Sequence, residues 1–396
     1  MRIFLTVIDS FGIGAMPDAA LYGDEGADTY GHIYARTRVS LPNLRKLGLN
    51  NIEGIAAGLS PENKPEKTAY PLAAYARLSE ITPAKDTTAG HYEIAGLALE
   101  KPYRVYPYGF PDRVVRRIEE RAGCVFMGNE VASGTEIIQR LGEEHLRTGR
   151  PILYTSQDSV LQIAADVSVM PLSRLYEICA AARAVMQGDD AVGRVIARPF
   201  THADGRFTRT KDRRDFALEP PGETMLDRLK ARGIPVCAVG KIRDIFCGRG
   251  ISESVHTGNN AEGLAALSRL VRSFPAGLVF ANLVDTDMLY GHRNDAEGYA
   301  KALERIDSCL AEYLAALKED DIFLLTADHG CDPTTPSTDH SREYVPLLAY
   351  GARIPPADLG TIRGFGCIAD FILDRFSGTE TGEIERGLRK AGRTDS

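Results

Sequence analysis

Three short apolar segments of this sequence end directly in acidic residues. These segments and their acids are Ile3–Ile8 with Asp9, Leu278–Val284 with Asp285 and Asp287, and Ile322–Thr326 with Asp328. One acidic residue after a buried strand is ordinary. Three of them at one edge of a sheet would repel one another unless cations neutralised their charge. The pattern therefore predicts a cation site at the ends of these segments.

Histidines lie close behind two of the three acidic positions. Only eight histidines occur in the chain, yet His292 lies five residues after Asp287, His329 directly follows Asp328, and His340 comes eleven residues later. Mixed carboxylate and imidazole ligands suit Zn²⁺, Mn²⁺ or Fe, whereas an all-oxygen set would indicate Mg²⁺ or Ca²⁺. Three aspartates and three histidines are enough ligands for two metal ions.

Asp285 is an alternative to Asp287 that the spacing does not resolve. It is compatible with a metal ligand, with a residue that orients a ligand, and with a helix cap. Strand alternation sends positions i and i+2 to the same side, so geometry alone does not choose. Asp287 is preferred because its Asp-x4-His spacing to His292 can close on one ion across a short turn.

A candidate nucleophile lies in the segment from Lys85 to Gly96. This segment follows a strand-like run, Ala74–Ile81, and it opens with Asp86 or Thr87 in a position typical of a helix N-cap. A helix N-terminus binds phosphate, and a hydroxyl placed there beside divalent cations is a candidate nucleophile. The alternative is an ordinary capping threonine, and the predicted metal cluster favours the nucleophile.

The elements that must position these residues read as an α/β domain. The apolar runs lack alternation, as expected for parallel strands covered by helices on both faces. Amphipathic segments predicted as helices lie between or after these runs, at Glu223–Arg232, Ala261–Ser273 and Tyr299–Lys318. Strand and helix alternation predicts a mostly parallel sheet, and ligands bind at the carboxyl ends of such strands.

The middle of the chain differs from its two ends. Loop-forming residues at Glu100–Pro102 and Pro220–Gly222 enclose it. We therefore expect residues 1–100 and 220–396 to form a core domain and residues 101–219 to form an inserted second domain. Between Arg194 and Arg214 there are seven basic and two acidic residues. A solvated basic face is the alternative to a phosphate-binding surface, which arginine suits through bidentate contacts.

Composition excludes several classes of protein. The chain has 396 residues, 44% of them hydrophobic and 26% charged, which is typical of globular proteins. A net charge of -7 argues against a nucleic-acid surface. Seven cysteines without a CxxC pair argue against a disulfide framework and favour a reducing cytoplasm. No apolar run approaches the roughly 18 residues of a membrane span, and the first apolar run is too short for a signal peptide.

Taken together, these residues resemble the phosphopentomutases, a family within the alkaline phosphatase superfamily. The matching motifs are Ile8–Gly14 with Pro17–Ala19, Lys85–Thr87 with Gly90 and His91, Tyr154–Ile163, Val192–Phe200, Gly240–Ile242, Asp287 with Gly291–Arg293, Thr326–Gly330, and Thr338–Pro346. The metal-ligand motifs alone would indicate only the superfamily. The motifs in the middle of the chain narrow the resemblance to the family.

The resemblance implies an alkaline-phosphatase-like core, with a mostly parallel sheet flanked by helices, and an inserted smaller α/β cap domain. It implies two Mn²⁺ ions, one held by Asp9, Asp328 and His329 and the other by Asp287, His292 and His340. Thr87 matches the threonine that carries the phosphoryl group. The residues expected to bind the sugar phosphate are Ser156, Asp158, Arg194, Arg209 and Lys241.

The implied reaction interconverts α-D-ribose 1-phosphate and D-ribose 5-phosphate, and the 2-deoxyribose pair, in nucleoside catabolism and pentose salvage. It would pass through a phosphothreonine and a pentose 1,5-bisphosphate, with ribose 1,5-bisphosphate or glucose 1,6-bisphosphate as activator. The expected partners are small pentose phosphates, with no nucleic acid or membrane, and a monomer is compatible with the sequence. Alternatives are a metal-dependent phosphatase or phosphodiesterase on the same core, and a metal-binding protein without catalysis.

Overall fold

The structure of the chain, a computed structural model, describes residues 1–156 and 159–377. It divides into two compact units. The first unit contains Met1–Lys101 together with the chain from Gly222 onward, and the second contains Pro102–Pro221. Each unit has its own β-sheet: eight strands in the first and six in the second. No described helix is long and apolar enough to cross a membrane.

Strands and helices alternate along most of the described chain. The strands are β1 Arg2–Ile8, β2 Ala74–Ser79, β3 Met127–Val131, β4 Ile152–Thr155, β5 Val160–Asp166, β6 Arg194–Ala203, β7 Arg206–Arg209, β8 Arg214–Ala217, β9 Val236–Val239, β10 Glu253–Val255, β11 Gly277–Leu283, β12 Ile322–Thr326, β13 Val345–Tyr350 and β14 Ala357–Arg363. The α-helices are α1 Thr29–Thr37, α2 Pro42–Leu47, α3 Thr87–Ile94, α4 Asp112–Ala122, α5 Gly134–Thr148, α6 Leu172–Val185, α7 Met225–Ala231, α8 Ile242–Ile245, α9 Asn260–Ser273, α10 Ala296–Ala315 and α11 Cys367–Ser377.

The sheet of the first unit is mostly parallel. Its strand order is β10-β9-β11-β1-β12-β13-β2-β14, and only β13 runs antiparallel to its neighbours. Every residue of β1, β11 and β12 is buried, which explains why these three strands read as apolar runs without alternation. The predicted α/β fold with a mostly parallel sheet is confirmed.

Helix boundaries in this unit differ from prediction by a few residues. The predicted Tyr299–Lys318 helix begins earlier, as α10, because Asp295 caps it by accepting a hydrogen bond from Gly298 N at 2.8 Å. It also ends earlier, at Ala315. The predicted helix after Pro221 begins at Met225, where Thr224 and Asp227 form a capping box.

The second unit is a smaller α/β arrangement. Its sheet order is β3-β4-β5-β6-β7, with β8 paired to β6, and it mixes parallel and antiparallel pairs. One apolar cluster joins the sheet to α4 and α6 through residues such as Val114 and Ile178. A second cluster joins it to α5 through Ile137 and Phe200. Helices therefore cover both faces of this sheet.

Candidate metal centre

The three strands that end in acidic residues are neighbours in the sheet of the first unit. β1 lies between β11 and β12 and is parallel to both, with Ile8 opposite Leu283 and Val7 opposite Thr326. Because the strands run in one direction and end in register, the residues that follow them meet at one sheet edge. The sheet thus brings together the acidic residues and histidines that the sequence singled out.

A first group, the Asp9 cluster, consists of Asp9, Asp328 and His329. All three are buried. Nε2 of His329 lies 3.5 Å from Oδ1 of Asp9 and 3.4 Å from Oδ2 of Asp328. One ligand atom from each residue falls within 4.8 Å of the others, which is close enough for a shared metal ion. These are the three residues that the resemblance assigned to one ion.

A second group, the Asp287 cluster, consists of Asp287, His292 and His340. Nε2 of His340 lies 3.3 Å from Oδ1 of Asp287, and Nε2 of His292 lies 3.5 Å from Oδ2 of Asp287. The two imidazole Nε2 atoms are 3.1 Å apart. The turn Thr286–Tyr290 and the 3₁₀ turn Gly291–Arg293 close the Asp-x4-His spacing in the way the sequence predicted.

The two clusters adjoin. The rings of His329 and His340 stack with their centroids 3.9 Å apart, and ligand atoms of these histidines and Asp287 also lie within 4.8 Å. Cys331, which the sequence reasoning did not single out, lies within the same distance of Asp287 and His292. Its position two residues after His329 was the only available signal. The geometry forms one extended centre with room for more than one cation.

Unpartnered carboxylate oxygens test whether these residues fit a metal. Oδ1 of Asp9, Oδ1 of Asp287 and Oδ2 of Asp328 are buried and accept no well-formed hydrogen bond from the described residues. A buried anionic oxygen without a donor is costly, and a bound cation removes that cost. Carboxylate and imidazole together are the donor set of Mn²⁺, Zn²⁺ and Fe. The residues fit a divalent metal centre.

Electrostatics at the centre also favour positive charge. Burial, and then repulsion from Asp328 and Asp287, raise the pKa of Asp9 well above its ordinary value. Burial alone would lower the pKa of His340, but attraction to Asp287, Asp339 and Asp9 together outweighs burial and raises the value to about 9. The crowded carboxylates thus stabilise a cation even where burial opposes one.

Three neighbouring groups hold the aspartates of the Asp9 cluster in place. Ser10, which has a left-handed φ of 66°, donates its backbone N–H to Oδ1 of Asp328 at 3.1 Å. Nδ2 of Asn282 donates to Oδ2 of Asp9 at 3.1 Å, and the Thr286 hydroxyl donates to the Asp9 carbonyl at 2.7 Å. These contacts occupy one oxygen of each carboxylate, and the other oxygen of each lies beside Nε2 of His329, a second expected metal ligand.

Thr87 is the first residue of α3 and lies beside the Asp9 cluster. Its Oγ1 is 3.1 Å from Nε2 of His329. Of the two N-cap candidates in the sequence, Asp86 is the N-cap, and its carboxylate accepts hydrogen bonds from Thr88 N at 3.0 Å and Ala89 N at 3.1 Å. The Thr87 hydroxyl is therefore directed to the metal centre from the N-terminus of a helix.

Close packing of α3 on the segment after β12 fixes this arrangement. A Cβ at Gly90 would lie 2.1 Å from the Asp328 carbonyl oxygen, so only glycine allows this approach. His91 is fully buried, and its Nδ1 lies 2.8 Å from the Thr87 carbonyl and 3.2 Å from Oδ2 of Asp328. His91 thus links the residue carrying the hydroxyl to an aspartate of the Asp9 cluster.

Asp285 contacts the start of a helix. Its Oδ2 accepts a hydrogen bond from Asn260 N at 2.9 Å, and its own N–H donates to Oδ1 of Asn260 at 3.0 Å. Asn260 is the first residue of α9, so Asp285 supports the start of that helix. The N-cap of α9 itself is Asn259, and Asp285 is in none of the groups of described residues whose ligand atoms lie within 4.8 Å of one another.

The expected substrate-binding residues lie in both units. Lys241 follows β9 in the first unit, and its charge is close enough to Asp9 to lower the pKa of that carboxyl against the larger effect of burial. Ser156 follows β4 in the second unit, and Asp158 lies outside the described residues.

Basic residues of the second unit are connected through Asp215 and Tyr154. Arg194 begins β6 and lies 3.6 Å from the Asp215 carboxylate, which also pairs with Arg213 at 2.6 Å. Arg209 approaches the buried Tyr154 ring, where its charge lowers the phenol pKa although burial raises it more. Arg198, a third arginine of this unit, donates its Nε–H to the neutral Gln162 Oε1 at 3.0 Å. A neutral partner suffices because the guanidinium is only partly buried.

Comparison with known proteins is consistent over nearly the whole chain. Residues 1–379 match the Metalloenzyme superfamily. The chain is 51% identical over 381 residues to a phosphopentomutase of Caldanaerobacter subterraneus subsp. tengcongensis, covering 95% of this chain and 94% of that protein. It is 53% identical to a phosphopentomutase of Carboxydothermus hydrogenoformans, covering 96% and 97%. It is 52% identical to a phosphopentomutase of Desulfitobacterium hafniense, covering 96% of each chain.

Proposed function

The chain belongs to the phosphopentomutase family, and we propose that it interconverts α-D-ribose 1-phosphate and D-ribose 5-phosphate, and the 2-deoxyribose pair. It is therefore an isomerase that moves a phosphoryl group between two positions of a pentose. The observation that carries this proposal is the 3.1 Å contact between Thr87 Oγ1 and His329 Nε2. It supports a hydroxyl that accepts and returns a phosphoryl group beside a metal centre.

Two divalent metal ions are part of this proposal, and Mn²⁺ is the ion we propose. One would be held by the Asp9 cluster, whose ligand atoms lie within 4.8 Å of one another. The other would be held by the Asp287 cluster, where His292 and His340 approach the Asp287 carboxylate to 3.5 and 3.3 Å. When bound, such ions neutralise phosphoryl oxygens and make the threonine alkoxide accessible at neutral pH.

The chain's own residues would do the following. Thr87 begins as a phosphothreonine, and a sugar hydroxyl attacks its phosphorus. The bond from phosphorus to Oγ1 breaks as the bond to the sugar oxygen forms, and the sugar's proton ends on Oγ1. The product is a pentose 1,5-bisphosphate. After the bisphosphate reverses its orientation, Oγ1 attacks the phosphorus of the other phosphoryl group, the bond from that phosphorus to the sugar oxygen breaks, and the proton on Oγ1 passes to the sugar oxygen. The isomerised monophosphate then leaves, and Thr87 is again a phosphothreonine.

Position at a helix N-terminus supports Thr87 in this role. The phosphoryl group on Oγ1 would lie at the positive end of the α3 dipole. Asp86 occupies the next two backbone N–H groups and so fixes the first turn of the helix. His91, which lies in the same helix, hydrogen-bonds the Thr87 carbonyl through Nδ1. The hydroxyl is thus preorganised, which is the main contribution a protein makes to phosphoryl transfer.

Recognition of the sugar phosphate is proposed for Lys241 and for basic and polar residues of the second unit. The proposed residues of that unit are Ser156, Asp158, Arg194 and Arg209. Arginine binds phosphate through paired N–H groups. This property supports a role for these arginines in binding the sugar phosphate group that is not being transferred. A trace of ribose 1,5-bisphosphate or glucose 1,6-bisphosphate would load Thr87 and so activate the enzyme. We place the reaction in nucleoside catabolism and pentose salvage, in the cytoplasm.

One assay tests the proposed function against hydrolysis. The protein is incubated with ribose 1-phosphate, Mn²⁺ and a trace of glucose 1,6-bisphosphate, and the products are followed by ³¹P NMR. Ribose 5-phosphate should accumulate with little inorganic phosphate. Inorganic phosphate as the main product would instead establish a phosphatase on the same core. Unchanged ribose 1-phosphate would reject both activities, provided that Mn²⁺ binding is verified in the same sample.

A further inference from the structure

One buried arginine connects the loop that leads to Thr87 with the segment that contains His340. Arg342 lies two residues after His340, and its side chain is only 3% exposed. Its guanidinium reaches into the loop of residues 80–86, which joins β2 to α3. Nothing in the proposed chemistry yet accounts for a buried charge at this place.

The contacts of Arg342 with this loop are dense. Nη1 lies 2.7 Å from the Thr82 carbonyl, 2.6 Å from the Ala84 carbonyl and 2.6 Å from Oε2 of Glu80. Nη2 donates to the Glu80 carbonyl at 3.0 Å. One side chain therefore binds three alternate carbonyls of the loop. A planar guanidinium with five N–H donors can do this, whereas an ammonium group cannot match the same fork.

A second connection supports the first. The backbone N–H of Arg342 donates to Oδ2 of Asp24 at 2.9 Å. Nζ of Lys85 lies 3.1 Å and 3.0 Å from the two carboxylate oxygens of the same aspartate. Asp24 thus joins the arginine backbone to the loop just two residues before Thr87. We call Arg342 together with the Lys85–Asp24 pair the loop tether.

The cost of burying this charge indicates what the tether does. A buried guanidinium is stabilised only when carboxylates and carbonyls satisfy it, and Glu80 and Asp18 supply the negative charge. A salt bridge alone would not require three loop carbonyls as well. Those carbonyls lie between the end of β2 and the start of α3, so they belong neither to the hydrogen bonds of the sheet nor to those of the helix. Because buried carbonyls need donors, the arginine that supplies them helps determine where the loop lies.

We propose that Arg342 is a positioning residue for phosphoryl transfer, because it holds the 80–86 loop and thereby keeps Thr87 Oγ1 in place at the metal centre. This inference rests on the proposed role of Thr87. Arg342 touches neither the hydroxyl nor an expected metal ligand side chain among its hydrogen bonds in the described structure. It acts through the loop.

Arg342→Lys is the test variant, since it keeps the charge and removes the planar fork. Misplacing a reacting atom by about 1 Å costs on the order of 100-fold in rate. We therefore expect kcat for ribose 1-phosphate to fall about 10- to 100-fold, with KM and Mn²⁺ affinity close to those of the wild type. Phosphorylation of Thr87 by glucose 1,6-bisphosphate, measured by quenched flow and mass spectrometry, should slow by the same factor.

A matched control exists in the same unit. Arg2 is buried to a similar extent. Its Nε donates a hydrogen bond to Oδ1 of Asp321 at 3.0 Å. Its Nη1 donates hydrogen bonds to the carbonyls of Val271 at 2.7 Å and Phe274 at 3.2 Å. Arg2 begins β1, at the strand end opposite to Asp9. Arg2→Lys should lower the melting temperature like Arg342→Lys but leave kcat unchanged.

Hydrogen exchange separates this inference from the proposed function, because it needs no turnover. Amides of residues 80–87 should exchange faster in Arg342→Lys than in the wild type, and not in Arg2→Lys. If exchange or kcat is unchanged in Arg342→Lys, or if only Mn²⁺ affinity falls, the inference is overturned. If the wild type itself lacks mutase activity, the proposed function fails. The exchange comparison still shows in that case whether Arg342 holds the 80–86 loop in place.

Should Arg342→Lys fail to fold, Lys85→Met decides the matter. This side chain is 19% exposed, so its replacement is the milder change. It removes the second connection of the tether and also the 3.5 Å contact of Nζ with Asp339, the residue before His340, so Mn²⁺ affinity is measured alongside and should stay close to that of the wild type. Faster exchange across residues 80–87 with a lower kcat would support the inference. Wild-type exchange and wild-type kcat in this variant would overturn it.

Discussion

Oγ1 of Thr87 and Nε2 of His329 lie 3.1 Å apart, although 242 residues separate them in the sequence. The contact exists because β12 ends beside β1 and because α3 packs directly on the backbone of Asp328 at Gly90. A hydroxyl held this way has little freedom to turn to solvent. Its chemistry is therefore coupled to whatever cation the buried carboxylates bind.

Replacing Thr87 tests whether its hydroxyl carries the phosphoryl group. Thr87→Ala should abolish mutase turnover, by at least about 10³-fold, because no other hydroxyl would take the leaving phosphoryl group. Metal content and melting temperature should change little. Mass spectrometry of the wild-type protein after treatment with glucose 1,6-bisphosphate should place one phosphate on Thr87.

Thr88 is the matched control, since it is the next hydroxyl of the same helix turn and its N–H is held by Asp86. Thr88→Ala should keep most of the activity, and Thr87→Ser should keep part of it. Phosphate found on Thr88, or substantial turnover by Thr87→Ala, would contradict the assignment.

Metal removal is the second test. Extensive chelation should inactivate the protein, and Mn²⁺ should restore activity, because three buried carboxylate oxygens accept no well-formed hydrogen bond from the described residues and a cation would neutralise them. Mn²⁺ should also raise the melting temperature of the chelated protein, since an ion that binds only the folded state stabilises it. Full activity in the presence of a strong chelator would reject a metal-dependent mechanism.

Single replacements of the six expected ligands should each lower activity by about 100-fold or more. They are Asp9, Asp287, His292, Asp328, His329 and His340. The exposed His256 is the control, and its replacement by Ala should be neutral. His145→Ala should lower stability without changing metal content, because this buried imidazole bonds Arg150 O at 2.8 Å and Asp166 N at 2.9 Å.

The parts of the site that follow apolar strands could be predicted from the sequence. Asp9 and Asp328 come after fully buried strands, and parallel strands bring their carboxyl ends to one edge whatever the loops do. The Asp-x4-His spacing of Asp287 and His292 was equally informative, because a short turn joins the two residues. A site residue can be predicted from local sequence patterns when a strand or a short turn determines its position.

The remaining parts depend on tertiary contacts that leave no local signal. Arg342 falls within the matching motif Thr338–Pro346, but only the fold shows that its side chain is buried against a loop more than 250 residues away in sequence. Asp285 was unresolved because strand alternation does not apply where the chain turns into a helix after Leu283. Observed helix ends differ from the predicted ones because individual capping residues, such as Asp295 at the start of α10, determine them.

The buried pair of Arg2 and Asp321 predicts a pH dependence of stability. Burial would raise the pKa of Asp321, but hydrogen bonds from Arg2 and from the Lys318 backbone N–H, together with the charges of Arg2 and Lys318, outweigh burial and lower the pKa. A lowered folded-state pKa stabilises the protein above the unfolded-state value near 4, and this stabilisation is lost as the pH falls through the folded-state value. The pair's contribution should be constant from about pH 5 to 7 and decline below about 4.

Asp321→Asn tests this expectation by denaturant unfolding at several pH values. Removing the charge leaves a buried guanidinium unpaired, so stability at neutral pH should fall by about 3–5 kcal/mol. The gap between wild type and variant should narrow below about pH 4. A gap that stays the same down to about pH 2.5 would show that the charge of Asp321 contributes nothing to folding.

The last prediction separates transfer to a sugar from transfer to water. If Arg194 and Arg209 bind the phosphate that is not being transferred, they matter for a pentose phosphate and not for a small aryl phosphate that lacks a second end. Arg194→Ala and Arg209→Ala should each raise KM for ribose 1-phosphate about 10-fold or more, as expected for the loss of about 1.5–3 kcal/mol from a charged hydrogen bond. Hydrolysis of p-nitrophenyl phosphate should change by less than about twofold. Arg206 is the matched control, because it is an exposed arginine at the start of β7 in the same unit. Equal losses with both substrates, or an Arg206→Ala variant that is just as impaired with ribose 1-phosphate, would show that these arginines serve the stability of the second unit.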